Sequence, residues 1–425
     1  MRFSSNAILH ATTLSVVLFI AAVCANADST SLQSLRALNY VVVSPQGPRD
    51  GGDFGPNTPN TKTSGIQEAL NCAKAARKDV YIAGGTMPEP FKNGVVYHIQ
   101  ETLRIPWFQD FKLDGGEYVI NYDKTEGDAV VIDSQMSCRF KFGLIVSPSS
   151  GAVVRMKPET KGPDGFAVIT ASTFEFNALV GAGSVFNDGK KAPMGTGLCL
   201  DASLGPILYN RIYATEIIAC ETGMAMTCGP GVNPTTTVAN NSFEILFLHL
   251  CSTHMQVGDT DASVTANVFK VNLDSGGLEN ATGVSIFGKR NLFTLDVVRM
   301  GDGKGIIFES TAEDNHITCM NMSGGYTNNA QRPANTIVPV HSEGLAVQTP
   351  AFPASGIACV NRTPFAIEAW VVSPGKVSEW TLIDNNGVSQ VFSGALGTGQ
   401  TIPLQPGDSV TFTYTEAPTW RWRGK

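Results

Sequence analysis

Charge is in short supply. Only 16% of the 425 residues are Asp, Glu, Lys or Arg, with a net charge of −7, against roughly 25% charged residues in an average domain. No Lys- or Arg-rich run occurs, which argues against a basic nucleic-acid-binding surface. A membrane-spanning helix needs about 20 apolar residues, and the apolar stretch Leu14 to Cys24 has about 11. Nine cysteines are present, but no pair has the C-x₂-C spacing of a thiolate zinc site. Hydrophobic residues make up 43%, so the chain is not of the disordered class. The excess is in glycine, 43 residues with no three-residue period, which excludes a collagen-like chain.

Arg2, the following apolar stretch and Ala25-Asn26-Ala27 predict a secretory signal peptide over residues 1–27, cleaved after Ala27. The expected protein is therefore secreted, extracellular or periplasmic, with no transmembrane anchor. Cys72, Cys138, Cys199, Cys220, Cys228, Cys251, Cys319 and Cys359 remain after cleavage. An oxidising compartment permits disulfides, and the spacing leaves their pairing open. Glycosylation sequons stand at Asn240, Asn280, Asn321 and Asn361.

A repeat runs through the middle of the chain. The pattern Asn-x-(Ile/Phe)-x-apolar begins at Asn210, Asn241, Asn267, Asn291 and Asn315, at intervals of 31, 26, 24 and 24 residues. A second strand-like piece follows the first four, starting at Gly223, His254, Gly283 and Gly305. Looser copies lie upstream at Cys138 and Ser172. Short alternating strands repeating at this period, without helices between them, predict an all-β fold, a right-handed parallel β-helix. Its coils stack about 4.8 Å apart. Two and four residues after each Asn, Ile212, Phe243, Phe269, Phe293, Ile317 and Ala214, Ile245, Val271, Leu295, Cys319 are expected to stack inside. The Asn itself is expected at a corner, bonding to the coils above and below. Cys220 and Cys251 each fall ten residues after their Asn, which suits an apolar stack or a disulfide.

The ends differ from the middle. Ile66, Ala69, Leu70 and Ala73 share one face of a predicted capping helix with Ser64 as its N-cap. Residues 28–125 are expected to form the cap and first coils, and 126–345 the β-helix core. Residues 356–425 carry turn signals at Ser373-Pro-Gly, Asn385-Asn-Gly and Gln405-Pro-Gly-Asp, which predict a small β-sandwich-like module.

The run Gly65-Ile-Gln-Glu-Ala-Leu, Val80-Tyr-Ile-Ala-Gly-Gly, Tyr97-His-Ile and Thr102-Leu-Arg-Ile-Pro resembles the N-terminal cap of pectate-lyase-superfamily β-helix proteins. With the coils, the resemblance covers residues 40 to 345. It implies the same fold and, by family analogy, a polysaccharide partner handled by a monomer or homotrimer. The segment from Leu404 to Trp422 is similar to small β modules appended to phage-tail and secreted β-helix proteins. The catalytic signatures of polygalacturonase-type hydrolases and of the best-known pectate lyases are absent, so no catalytic residue carries over.

Candidate chemistry therefore follows from the outward positions of the coils. Three, five and eight residues past each Asn, these place Glu244, Lys270, Asn272, Asp296 and Arg299 across three adjacent coils, with Tyr213 one coil before. Lys270 with Arg299 would neutralise a uronate carboxylate, and Tyr213, His249 or Lys270 would take the proton in a β-elimination. Asn272, His249 and Arg211 are the substrate-binding candidates. Glu244 and Asp296, two coils apart, stand roughly 10 Å from each other by strand spacing. That is too far for a retaining hydrolase and strained for an inverting one. Either carboxylate could instead hold Ca²⁺, which takes oxygen ligands.

Weaker candidates are Asp201, the pair Asp259 and Asp261, and Trp420 with Trp422 between Arg421 and Arg423. The function expected is an exported enzyme that binds a linear, acidic glycan along the coils and cleaves it, as a lyase ahead of a hydrolase. The alternative is a non-catalytic glycan-binding or adhesin-like β-helix protein. Carboxylates and cations left together in a loop-walled groove would favour the enzyme, and a flat ladder of Thr, Ser and Asn the binder.

Overall fold

The structure is a computed structural model describing residues 32–84, 94–181, 194–228, 236–259, 264–276, 278–332, 334–340 and 347–424. The expected signal peptide with its cleavage site at Ala27, and Asp261, lie outside the described residues. No described helix is long and apolar enough to cross a membrane. The chain divides into two compact units, Met1–Leu198 with Asn210–Cys220, and Cys199–Tyr209 with Glu221–Lys425. Both are built from coils of a right-handed parallel β-helix.

The first unit begins with a cap. Helix Ile66–Ala76 buries Ile66, Ala69, Leu70 and Ala73, the face expected from their spacing. Its N-cap is Gly65, not Ser64. The backbone there is left-handed at φ 80°, and a Cβ would come within 2.4 Å of the Gly55 nitrogen, so only glycine fits. The Ser64 hydroxyl instead donates to the His98 carbonyl at 2.7 Å. Strands Tyr40–Val43, Asp79–Ile82 and Lys112–Gly115 pair in parallel and lead into Arg139–Val146, Thr173–Val180 and Arg211–Ile218. Inside, Phe140 stacks on Phe174 at 5.1 Å and Phe142 on Phe176 at 5.4 Å between ring centroids.

In the second unit, strands Ser242–His249, Val268–Asp274, Leu292–Val298, His316–Met322 and Thr336–Pro339 form a parallel sheet in register on the repeat. A second parallel sheet takes Thr222–Cys228, Thr253–Val257, Thr282–Ile286, Lys304–Phe308 and Tyr326–Asn328. Phe243, Phe269 and Phe293 stack at 4.8 and 4.7 Å, the strand spacing itself. Alternation puts these rings inside and leaves the residues between them on the outer face.

The corner asparagines form a continuous ladder. The Oδ1 of Asn267, Asn291 and Asn315 each accepts the backbone N–H of the preceding Asn, at 3.0, 3.0 and 3.1 Å. Each also accepts that residue's side-chain amide, at 3.0 to 3.1 Å. The ladder extends one rung beyond the sequence repeat, to Asn335, whose Oδ1 takes the Asn315 N–H at 3.1 Å. All five asparagines from Asn241 to Asn335 are buried. The residue before each of the first four is left-handed with φ between 54° and 57° (Asn240, Ala266, Arg290, Asp314). For non-glycine residues that costs about 1–2 kcal/mol, which the ladder bonds offset. In the first unit, Ser172 and Cys138 continue the motif, with the Ser172 N–H on Asn210 Oδ1 and the Cys138 N–H on Ser172 Oγ, both 3.0 Å. Cys220 and Cys251 are buried, and each Sγ donates at 3.3 Å to the carbonyl two residues earlier.

Residues 358–424 form two antiparallel sheets, of four and three strands, packed around Ile367, Ala369, Val371, Ile402, Leu404, Val410 and Phe412. Trp420 and Trp422 are 8% and 5% exposed and belong to this core, so neither offers a face for sugar stacking. Within the second unit, the Ile337 N–H bonds the Pro364 carbonyl at 2.7 Å, and Asn328 Nδ2 bonds that of Arg362 at 2.9 Å. Asn361, the last sequon, is fully buried and donates to Phe365 and Leu404, a structural role that keeps it from a glycan.

Candidate functional site

The outer face of the second unit carries most of the candidate residues. Glu244 lies opposite Lys270, and Thr294, Thr318 and Val338 continue the column. Lys270 Nζ is 2.8 Å from Glu244 Oε1, with both side chains well exposed. The hydrogen bond and charge of Glu244 push the Lys270 ammonium above its ordinary pKa, so it holds its proton rather than acting as a base. One column on, Asn272 faces Asp296. Asn272 Nδ2 donates to the Leu246 carbonyl at 2.8 Å, and Asp296 Oδ1 accepts from Asn321 Nδ2 at 2.7 Å.

Glu244 and Asp296 are two strands and two residues apart. With about 4.8 Å between strands and 3.3 Å per residue, their Cα atoms are roughly 12 Å apart. A retaining hydrolase places its carboxyls about 5–5.5 Å apart and an inverting one about 6.5–9.5 Å, so this Cα spacing is too wide for a retaining pair and suits an inverting one only with both side chains leaning together. The same gap keeps them from sharing a Ca²⁺. Among the described residues, no group of three or more His, Cys, Asp and Glu side chains is placed to hold a metal ion.

A β-bulge between Ile245 and Leu248 shifts the register. The spacing aligned His249 with Ser275 and Arg299; the bulge puts His249 opposite Asp274, which lies opposite Val298. Arg299, itself left-handed at φ 53°, turns back and grips the Asp274 carboxylate through two nitrogens, Nε at 2.8 Å from Oδ1 and Nη2 on Oδ2. Burial raises the Asp274 pKa, but the Arg299 bonds, the Gly276 N–H and the nearby charges outweigh it, so the carboxyl stays below its ordinary value.

Tyr213 and Arg211 belong to the first unit. Tyr213 is opposite Glu175, and Arg211, exposed, is opposite Thr173. Glu175 itself pairs with Arg139 at 3.0 Å. Asp201 accepts the Ser203 N–H at 3.1 Å, a local turn bond, and Asp259 accepts that of Cys228, 31 residues earlier, at 3.3 Å.

Three features escaped the sequence reading. Asp274 was displaced by the bulge. Lys289 and Glu313, each two residues before a ladder Asn, pair at 2.6 Å, with Arg332 at 2.7 Å on the other Glu313 oxygen; aligning the repeats on Asn would have shown this column. His254 does align with Gly223, Gly283 and Gly305 as the repeat indicated; what escaped was its burial in a column otherwise of glycines. It is fully buried; Nδ1 donates to the Thr282 carbonyl at 3.0 Å and Nε2 finds no hydrogen-bond partner among the described residues. Burial pushes its pKa down, against the pull of the Thr282 and Asp274 backbone and of the Asp274 charge.

No protein-family model matches the chain, and no curated protein is similar to it. Among solved structures, the tailspike protein of Dettilon aligns over 90% of this chain and 94% of its own, with TM-score 0.29 and 10% identity. A double mutant of the tailspike of E. coli bacteriophage HK620 aligns over 94% of each chain, with TM-score 0.19 and 9% identity. Scores of this size carry no inference about what this chain binds or cleaves.

Proposed function

We propose that the chain is an exported glycan-binding β-helix protein. It holds a linear polysaccharide against the exposed sheet face from Ser242–His249 to Thr336–Pro339 and does not cleave it. The observation that carries this reading is the commitment of every candidate carboxylate on that face: Glu244 to Lys270, Asp274 to Arg299 and Asp296 to Asn321. A general acid at neutral pH needs a raised carboxyl pKa. The described carboxyls whose pKa departs from its ordinary value, Glu101, Asp133, Asp274 and Glu313, all move down. What the face offers is a ladder of exposed Lys270 and Thr294 and half-buried Thr318 beside a half-exposed apolar column, Val268 at 46% and Leu292 at 51%. Hydroxyl edges and C–H faces of sugar rings fit such a surface, and a repeat at strand spacing suits a repeating polymer. Membership of the pectate-lyase superfamily is part of the same proposal, supported by the capping motif of residues 65–106.

A second reading, β-elimination on a uronate polymer, is favoured by His249 lying opposite Asp274 with Arg299 alongside; a base next to a guanidinium is what that step uses. One experiment separates the two. The chain from Asp28 is incubated with acidic and neutral polysaccharides, with and without Ca²⁺, while binding, unsaturated product and reducing ends are followed together. Retention of an acidic polymer with no product is the expected result. Unsaturated product would establish the lyase, and reducing ends alone a hydrolase; either would overturn the binding-only reading.

A further inference from the structure

A cavity of about 660 Å³ opens beside helix Ile66–Ala76 in the first unit, with Tyr122 as its one aromatic wall and Lys62, Glu68, Glu101, Arg104 and Lys124 among its charged ones. The walls are fixed before any ligand arrives. Gln67 bonds both backbone groups of Arg104, Nε2 to its carbonyl and Oε1 from its N–H, each at 2.9 Å. That amide closes the free edge of the strand Leu103–Ile105, the last of its sheet, and holds the base of the Arg104 side chain in place. Glu68 Oε2 accepts the hydroxyls of Thr61 at 3.0 Å and Thr63 at 3.3 Å.

The charges are distributed unevenly. Lys62 and Glu101 satisfy each other at 2.8 Å. Arg104 reaches its nearest carboxylate, Glu159, only at 3.9 Å, beyond hydrogen-bond distance, with its side chain 64% exposed. Lys124 makes no ion pair among the described residues, though its charge helps hold the Glu101 pKa down. A guanidinium fork and an ammonium are thus left for an anion, among the amides and hydroxyls of Asn60, Asn71 and Thr102. Arg presents paired donors to a carboxylate, and a cavity walled by charged and polar side chains around one tyrosine ring does not suit a lipid.

We propose that this cavity is a separate binding site for a carboxylate-bearing saccharide, with Arg104 and Lys124 on the carboxylate and Glu68 and the amides on the hydroxyls. The proposal concerns the first unit and does not require the polymer face of the second, so each can fail alone. The test is calorimetric titration of the chain with trigalacturonate, maltotriose and acetate, repeated on Arg104→Gln/Lys124→Gln and on Lys376→Ala, an exposed charge outside both proposed sites. Both cavity positions are surface side chains, and thermal melts check that the variants remain folded. The expected outcome is trigalacturonate binding that falls about tenfold or more in the double variant, is unchanged in Lys376→Ala, and exceeds that of maltotriose and acetate. No binding of trigalacturonate, equal binding by maltotriose, or unchanged affinity in the double variant would overturn it. Acetate competing as well as the trimer would show a simple anion site and overturn the saccharide assignment. An equal loss in Lys376→Ala would show a general charge effect and overturn the site.

Discussion

Replacing Asn291 by alanine removes a middle rung of the ladder, and the structure sets the size of the effect. The Asn291 amide makes four hydrogen bonds. Oδ1 accepts the Asn267 backbone N–H and side-chain amide, and Nδ2 donates to the Val264 carbonyl and Asn315 Oδ1, all at 3.0 to 3.2 Å. Most partners keep a second bond: Asn267 Nδ2 still reaches the Val238 carbonyl, and the Val264 carbonyl still takes the Lys289 N–H. The Asn267 backbone N–H has no other acceptor among the described residues and is left buried. An orphaned buried donor costs about 1–3 kcal/mol and each further bond lost roughly 1 kcal/mol or less, so the variant should lose about 3–5 kcal/mol. Asn272→Ala is the control: the same side chain on the exposed side of the same sheet, with one bond to the Leu246 carbonyl, where surface changes stay within about 0.5 kcal/mol. Equilibrium denaturation with urea, read by two probes because solenoids need not unfold in one step, measures both. A loss below about 1 kcal/mol for Asn291→Ala, or equal losses at both positions, would refute the ladder as what fixes the coils.

Phe269→Ala opens a cavity between Phe243 and Phe293 and should cost about 3–5 kcal/mol in the same assay. Glu244→Gln and Lys270→Ala break only an exposed pair and should leave the denaturation midpoint in place. His254 carries a folded-state pKa below its ordinary value of 6.5, so the unfolded chain binds the extra proton first as pH falls. Stability should be level above about pH 6.5, decline from there toward the lower folded pKa, and decline less in His254→Gln; the slope of melting temperature against pH measures it.

The fold was legible because every coil solves the same problem with the same residues. Asn267, Asn291 and Asn315 close the same corner, and Phe243, Phe269 and Phe293 fill the same slot. Asn335 was missed because its coil shortens the interval to 20 residues and its strand ends at a proline. The candidate face was legible as far as register holds: Glu244 does meet Lys270, and Asn272 does meet Asp296. The inserted residue in the strand Ser242–His249 then exchanges Ser275 for Asp274 as the neighbour of His249, since bulges leave no mark in a repeat pattern. Ser64 looked like a helix cap because its residue type is right, but the close approach of Gly55 settles that position in favour of Gly65. The cavity could not be read at all. Lys62, Arg104 and Lys124 come from a loop and two separate coil segments with no shared period, and only the fold brings them together.

The most direct test of the proposed function is retention of an acidic polysaccharide by the chain and by Thr294→Glu/Thr318→Glu. Those substitutions place two negative charges in the outward column beside Lys270, at exposed Thr294 and half-buried Thr318, without touching the core. The account predicts that the double variant melts as the parent does and no longer retains the polymer. Retention equal to the parent's, in a variant that is folded, would contradict binding along this face.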